Sequence, residues 1–197
     1  MHPDKSPILR AVQDRFAGYP GRYWIAGGWA VDLHIGRVRR EHSDVDVLIL
    51  ASELQLFGTA FGPITIRDHQ TGEERPWAYP DEVMPGRNTL YFADAADPTT
   101  IEVLVAQSDG ENWVFHRGRG TRRPLADISH VSLGGIPYLG PEIVLMLKAR
   151  DGRPKDEDDF HALSPLLTDA QRQWLIPRLS RPGQPDHPLL GVLCSPG

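Results

Sequence analysis

Cysteine is nearly absent from this chain of 197 residues, in which Cys194 is the only one. A single cysteine excludes an internal disulfide framework and a zinc site built on several thiolates. At this length the chain can bury a hydrophobic core without help from a disulfide or a structural metal. We therefore expect one globular domain, or one domain with a small appendage, in a reducing compartment such as the cytoplasm.

Long hydrophobic runs and an excess of positive charge are also missing. The longest apolar runs, such as Val45–Leu50 and Ile143–Leu147, fall far short of the roughly 20 residues of a membrane-spanning helix. Residues 1–5 contain no apolar segment typical of a signal peptide. Lys and Arg total 21 against 26 Asp and Glu, a net charge of −5, which lacks the positive field of a general nucleic-acid binder. These absences predict a cytoplasmic protein with neither a membrane nor a nucleic acid as partner.

Glycine and proline, in contrast, are plentiful at 19 and 18 residues, and they punctuate the secondary structure. Runs of β-branched and aromatic residues predict strands, at Arg22–Ala26, Val45–Leu50, Ile64–Arg67, Asn88–Phe92, Thr100–Ala106, Asn112–His116 and His130–Leu133. Apolar spacing and caps predict one helix that opens at Ser6-Pro7 and ends before Gly18, and further helices at Trp29–Ile35, Pro141–Ala149, Asp156–Leu163 and Asp169–Leu179. The outline is an α+β domain over residues 1–135, followed by a helical domain over residues 136–197 that ends in a Pro-rich tail.

The polar stretch 68–87 does not fit this outline. It is long for a structureless loop, so it is either a lid or a hairpin. Its acids, together with Trp77 and Tyr79, suit a cationic, sugar-like ligand, although most such stretches are simply solvated.

Asp44-Val45-Asp46 opens an almost wholly apolar strand. Residues two apart on a strand point to the same face, so the two carboxylates lie side by side and repel each other unless a cation neutralises them. Oxygen ligands of this kind suit Mg²⁺, which takes water and phosphate oxygens as its remaining ligands. Because an unpaired carboxylate pair at the mouth of a buried strand would be costly, we expect a metal site at Asp44 and Asp46.

Gly27 and Gly28 lie between a predicted strand and a predicted helix. Glycine permits a sharp turn and lets a ligand approach the backbone closely, and the helix that follows would aim free N–H groups at a phosphate. A tight strand-to-helix turn without a ligand explains the pair equally well. Together with the acidic pair, the glycines predict a triphosphate held between backbone N–H groups and a metal ion.

The combined pattern resembles the polymerase-β-like nucleotidyltransferases, and among them the aminoglycoside 2''-adenylyltransferase and lincosamide nucleotidyltransferase types. The segments that carry the resemblance are Gly27-Gly28-Trp29-Ala30-Val31-Asp32, Gly36-Arg37, Arg40-X-His42-X-Asp44-X-Asp46 and a later stretch over residues 136–159. Residues 51–95 match nothing in that pattern. The resemblance implies a nucleotidyltransferase fold, with a mixed sheet flanked by helices and a small C-terminal helical domain.

The resemblance also implies a third carboxylate, because these proteins use one on a neighbouring strand. The matching position is Glu102, which would complete the metal site with Asp44 and Asp46 and act as general base on a substrate hydroxyl. The alternative for Glu102 is an ordinary surface glutamate, and Asp94 and Asp97 are less suited because they lie in an apparent turn.

Several cations near this segment have two interpretations. Lys148, late in an apolar helix, would reach the triphosphate or extend to solvent at the helix end. Arg40 and His42 would contact phosphate or brace the turn before Asp44. Asp32 is expected to be structural and to pair with Arg39 or Arg40, and Asp156 is expected to cap its helix.

The function implied by the resemblance is Mg²⁺-dependent transfer of a nucleoside monophosphate, AMP from ATP or that of another NTP, with release of pyrophosphate. The acceptor would be a hydroxyl of a small molecule, aminoglycoside-like or lincosamide-like, and the protein a monomer or homodimer. Two alternatives remain open: nucleotidylation of a protein or tRNA in a toxin–antitoxin system, and a nucleotide-binding module without catalysis.

Overall fold

The computed structural model describes residues 1–92, 100–115, 121–149, 153–179 and 190–194. Its strands are β1 (Tyr23–Ile25), β2 (Asp44–Leu50), β3 (Ile64–Asp68), β4 (Glu74–Trp77), β5 (Asn88–Phe92), β6 (Thr100–Asp109), β7 (Asn112–Val114), β8 (Arg122–Pro124), β9 (Ser129–Val131) and β10 (Pro137–Leu139). Its helices are α1 (Pro7–Phe16), α2 (Gly27–Ile35), α3 (Leu54–Ala60), α4 (Leu125–Ile128), α5 (Pro141–Lys148), α6 (Pro154–Leu163), α7 (Asp169–Leu179) and α8 (Leu190–Cys194).

The strands form one mixed sheet in the order β4-β3-β5-β6-β2-β1-β10-β9, and β7 extends from β6 to pair with β8. Strands β2 and β6 run parallel, as do β1 and β10, and the other pairs are antiparallel. This α+β architecture of a mixed sheet with helices confirms the predicted fold class.

One face of the sheet carries the aromatic part of the core. Phe57 of α3 is fully buried, with its ring centroid 5.0 Å from that of Phe61 and 5.9 Å from that of Phe92. Strand alternation turns Leu90 and Val103, both fully buried, to the core. Their neighbours in sequence therefore face the opposite side of the sheet.

Helix boundaries differ from the prediction at two points that bear on the site. Helix α2 begins at Gly27 rather than at Trp29, so the two glycines are its first residues. Helix α6 begins at Pro154, with Arg153 at the N-cap. The expectation that Asp156 caps this helix is wrong, because Arg153 holds the N-cap position, Pro154 the first helical position, and Asp156 is buried within the first turn.

Two stretches join the sheet that were not predicted to do so: the first part of stretch 68–87 and the segment just after residue 135. Strands β3 and β4 pair as an antiparallel hairpin, which resolves the first half of stretch 68–87 as a hairpin. Its Trp77 is buried in the core and so is not a ligand-binding surface. Strand β10 follows residue 135, the predicted end of the catalytic domain, and still pairs with β1 and β9.

Helices α5, α6 and α7 follow the sheet. Most of the predicted Pro-rich tail lies outside the described residues, and so do Asp94 and Asp97. None of the helices in the described part of the chain combines the length and the apolar character needed to cross a membrane.

Candidate active site

Three acidic side chains meet on the face of the sheet that lies away from the aromatic core. The parallel pairing of β2 with β6 sets Asp46 opposite Glu102 and Asp44 opposite Thr100. Asp44, Asp46 and Glu102 are all partly exposed, so the polar face of the sheet opens here to solvent. The sequence-predicted carboxylates are thus brought together by the register of two strands that are far apart along the chain.

These carboxylates disfavour one another's charge. Burial, then Glu102, then Asp44 raise the pKa of Asp46 to about 6. Burial and Asp44 likewise raise the pKa of Glu102. A local excess of negative charge of this kind favours a bound cation.

The donor set fits a hard divalent ion, because it consists of carboxylate oxygens with room for water and phosphate. Among the residues that the structure describes, no three His, Cys, Asp or Glu side chains form a ready-made metal site. The case for Asp44, Asp46 and Glu102 as metal ligands therefore rests on their chemistry and on the strand register, and not on a complete coordination geometry.

Gly27 joins this acidic face to α2. The backbone N–H of Ala26 donates to the carbonyl oxygen of Asp46 at 2.8 Å, which holds the end of β1 against β2. Gly27 has a φ of +57°, and a Cβ added to it would lie 1.8 Å from Oδ2 of Asp46. Only glycine can occupy this position, because the Asp46 carboxylate fills the space that a side chain would need.

Gly28 is covered by two further predicted residues. A Cβ at this position would lie 2.5 Å from Nη2 of Arg40 and 2.6 Å from Nδ1 of His42. The start of α2 is therefore surrounded by Asp46 on one side and by Arg40 and His42 on the other. The phosphate contact that the glycine pair suggested stays a prediction, and Arg40 and His42 lie beside the backbone that would make it.

His42 is braced from behind. Its side chain is only 2% exposed, with Nε2 2.7 Å from Oδ2 of the fully buried Asp32, and its ring packs 4.5 Å from that of Trp29. Asp32 also accepts hydrogen bonds from the backbone N–H and the side-chain Nε of Arg39, at 3.2 and 3.1 Å. The structural role expected for Asp32 is borne out, and His42 is held so that Nδ1 faces Gly28.

Lys148 points into the helices. Its side chain is 8% exposed, and Nζ lies 2.9 Å from both Oδ1 of Asp156 and Oδ2 of Asp159. Asp159 in turn pairs with Arg39 and lies 3.7 Å from Arg40. These contacts engage Lys148 with two buried carboxylates and keep it from solvent, so the predicted extension to solvent is wrong. The predicted contact of Lys148 with the triphosphate stays a prediction.

Two lysines act on the charge of the acidic cluster. Lys148, and after it Lys155, lower the pKa of Asp46, and Lys155, exposed in the first turn of α6, also lowers the pKa of Glu102. Because adjacent helical residues point about 100° apart, Asp156 can turn inward to Lys148 while Lys155 turns outward. Lys155 lies in the stretch 136–159 that carries the family resemblance, but sequence reasoning did not single it out, since its direction depends on where α6 starts.

Tyr91 was missed as well, in a stretch that matched no known pattern. It lies on β5 directly opposite Glu102 of β6, so that both side chains are on the same face of the sheet. A β-strand with alternating polar residues beside the predicted base was the only available signal.

Comparison with known proteins gives a short but specific sequence match. A model of the family described as aminoglycoside-2''-adenylyltransferase matches residues 8–62. Proteins of Escherichia coli and Klebsiella pneumoniae, each named 2''-aminoglycoside nucleotidyltransferase, are 58% identical to this chain over 24 residues, 12% of this chain and 14% of theirs. The aligned segment thus spans about a seventh of the length of these relatives.

Two solved structures share the fold over most of both chains. ANT(2'')-Ia in complex with adenylyl-2''-tobramycin aligns with a TM-score of 0.57 over 88% of this chain and 97% of its own, at 13% identity. The lincosamide antibiotic adenylyltransferase LnuA, lincomycin-bound, aligns with a TM-score of 0.56 over 83% and 98%, at 21% identity. The predicted nucleotidyltransferase fold and the predicted family resemblance are confirmed.

Proposed function

We propose that this chain transfers a nucleoside monophosphate from ATP or another NTP to a hydroxyl of a small molecule. The chain has the nucleotidyltransferase fold, and it resembles the aminoglycoside-2''-adenylyltransferase family over residues 8–62. The observation that carries the proposal is the register of Asp46 against Glu102, beside a helix start that only glycine can form. A sheet used only for structural support has no need of an acidic face at that position.

Asp44, Asp46 and Glu102 would hold Mg²⁺, which when bound supplies positive charge to the phosphate oxygens. The triphosphate would lie against the backbone of Gly27 and Gly28, with Arg40, His42 and Lys155 beside it. Lys155 is added to Lys148, for which the sequence suggested a contact with the triphosphate.

Glu102 is the proposed general base. Its raised pKa suits a carboxylate that must take a proton from an acceptor hydroxyl. The hydroxyl loses its proton to Glu102, its oxygen forms a bond to the α-phosphorus, and the bond from that phosphorus to pyrophosphate breaks. The products are an O-nucleotidylated acceptor and pyrophosphate.

The acceptor is proposed to be aminoglycoside-like or lincosamide-like. Tobramycin and lincomycin are the compounds named in the two structural neighbours, and the net charge of −5 favours a cationic acceptor over a nucleic acid. We propose the sheet over residues 1–135 as the catalytic unit. The helices over residues 136–197, which contribute Lys155, would enclose the nucleotide from the other side.

Incubation of the full chain with α-labelled NTPs, Mg²⁺ and a panel of aminoglycosides and lincosamides tests the proposal. Transfer of label to a small molecule is expected, with loss of that transfer in Asp44→Asn and Asp46→Asn. Asp14→Asn, at an exposed position of α1, is the matched control and should retain activity. Label on protein or tRNA would favour the toxin–antitoxin alternative, and binding without transfer would favour a nucleotide-binding module.

A further inference from the structure

A row of polar side chains continues across the sheet beyond the carboxylates. Asp46 pairs with Glu102, Glu102 with Tyr91, and Tyr91 with Thr65 on four successive strands. Residues directly opposite on neighbouring strands share a face, with Cβ atoms about 4.5–5.5 Å apart. Tyr91 is therefore the neighbour of Glu102 on the side away from Asp46.

Arg67 holds Tyr91 in two ways. Its guanidinium lies over the Tyr91 ring, 4.8 Å from the centroid, and Nη1 donates to the Tyr91 hydroxyl at 3.3 Å. Arg67 itself is fixed by an ion pair with Glu74 across the β3–β4 hairpin. A hydroxyl that accepts a hydrogen bond from Arg67 keeps its own proton for another acceptor, and Glu102 is the carboxylate directly opposite Tyr91 on the neighbouring strand.

Glu102 needs such a partner more than a shorter acid would. A glutamate carboxylate sits at the end of several rotatable bonds, and fixing these bonds costs conformational entropy unless a contact holds them. The neighbours Asp44 and Asp46 repel Glu102 and supply no such contact.

We propose that Tyr91, held by Arg67, is a positioning residue that fixes the orientation of the Glu102 carboxylate. The hydrogen bond from Tyr91 occupies one side of this carboxylate and leaves the other for a cation and for the acceptor hydroxyl. This inference rests on the proposed function for its catalytic consequence, but the contact can be tested through cation binding alone. Partners behind a metal ligand typically contribute about 10–100-fold to metal affinity or activity.

The test measures Mn²⁺ binding to the full-length chain by electron paramagnetic resonance. Mn²⁺ serves as the probe because it prefers the same oxygen ligands as Mg²⁺. Tyr91→Phe keeps the ring and removes the hydroxyl, and we expect its Mn²⁺ affinity to fall by about tenfold or more. Tyr79→Phe is the matched control, because Tyr79 is 50% exposed, and should bind like the parent chain.

A second comparison separates positioning from a general loss of structure. In a Glu102→Gln background, the additional Tyr91→Phe change is expected to have no further effect on Mn²⁺ affinity. In the parent chain, Arg67→Met is expected to lower Mn²⁺ affinity in the same direction as Tyr91→Phe, but by less. Thermal unfolding of each variant shows that it is folded.

Unchanged Mn²⁺ affinity in Tyr91→Phe, or a loss that persists in the Glu102→Gln background, overturns the inference. A parent chain that binds no Mn²⁺ overturns it together with the metal-site assignment. A parent chain that binds Mn²⁺ but transfers no nucleotide to any acceptor refutes the proposed function, and the Mn²⁺ affinities then decide the role of Tyr91.

Discussion

Asp46 is the residue on which the other site residues converge. Its carboxylate occupies the space above Gly27, and its pKa is raised by burial and by two carboxylate neighbours. The charged form of Asp46 therefore destabilises the ligand-free fold and is favoured only when a cation is bound.

The first prediction concerns the stability of the ligand-free chain. Because the pKa of Asp46 is about 6 in the fold and about 3.9 when unfolded, its stabilising contribution is present below pH about 4 and is lost as the pH rises through about 6. Asp46→Asn mimics the uncharged form, so it should raise the stability at pH 8 by roughly 2 kcal/mol and change it little at pH 4. Thermal unfolding at both pH values checks this, with Asp14→Asn, at an exposed position of α1, as the control. Destabilisation of Asp46→Asn at pH 8 would contradict it.

The second prediction separates strain from contact at Gly27. Gly72 has a similar left-handed backbone, with a φ of +74°, but nothing within 4 Å of an added Cβ. Gly72→Ala should therefore cost only the backbone penalty of about 1–2 kcal/mol. Gly27→Ala should cost more and should lower kcat/KM for nucleotide transfer by about 100-fold, because the Asp46 carboxylate must move. Equal unfolding free energies and retained activity in both variants would count against the arrangement described for α2.

At the scale of elements, α5 and α6 carry two lysines with opposite roles. Lys148 of α5 joins Asp156 and Asp159 of α6, and this buried network also reaches the segment between α2 and β2 through Arg39. Lys155 is exposed in the first turn of α6, and its charge lowers the pKa of both Asp46 and Glu102.

The third prediction is a contrast between these lysines. Lys148→Met leaves two buried carboxylates without their partner and should lower the free energy of unfolding by about 3–5 kcal/mol. Lys155→Met should change it by less than about 0.5 kcal/mol, while raising KM for the NTP, with a larger effect at low salt. Denaturant unfolding and steady-state kinetics of both variants provide the measurement. A stable Lys148→Met with a raised KM would instead assign the phosphate contact to Lys148.

Elements with a strong local signal were predictable from the sequence. Helix α7 has the predicted range, and it begins with a capping box, in which the Thr168 backbone N–H donates to Oε1 of Gln171 at 2.9 Å and the Gln171 N–H donates to Oγ1 of Thr168 at 3.3 Å. Strand β5 has the predicted ends. Helix α3 was not predicted, because its seven residues are too few for a clear period and its Phe57 is fixed by contacts from distant strands.

The residues of the candidate site also divide into those that a local sequence motif reveals and those that only the tertiary structure places. Asp44, Asp46 and the glycine pair could be found because they are close in sequence and share one motif. Lys155 and Tyr91 could not, since the first depends on the start of α6 and the second on the pairing of β5 with β6. The direction of Lys148 was equally out of reach, because its two partners lie on the next helix.

At the scale of the molecule, the sheet and the C-terminal helices are joined by buried polar contacts. Glu142, fully buried at the start of α5, pairs with Arg123 of β8 at 2.7 Å and accepts a hydrogen bond from Nε2 of Gln171 in α7 at 2.9 Å. The Arg123 guanidinium also lies 4.8 Å from the ring centroid of Trp174. These contacts bind the last helices to the edge of the sheet.

The fourth prediction follows from this attachment. Unfolding of one part would expose buried charges of the other, so we expect a single cooperative transition in calorimetry, despite the proposed division at residue 135. Two resolved transitions would show that the helices fold apart from the sheet. Arg123→Met, which leaves Glu142 without its ion pair, should lower the midpoint of the whole transition and not split it.

The parallel register of β2 and β6 separates two tasks along the chain. Hydrogen bonds between these strands set Asp46 against Glu102, while β3, β4 and β5, which the chain inserts between β2 and β6, occupy one end of the sheet next to Glu102. The matching family model ends at residue 62, before β3 begins. Under the proposed function, exchanging residues 64–92 between chains, with Tyr91 retained, would change the surroundings of Glu102 while Asp44, Asp46 and Glu102 stay in place.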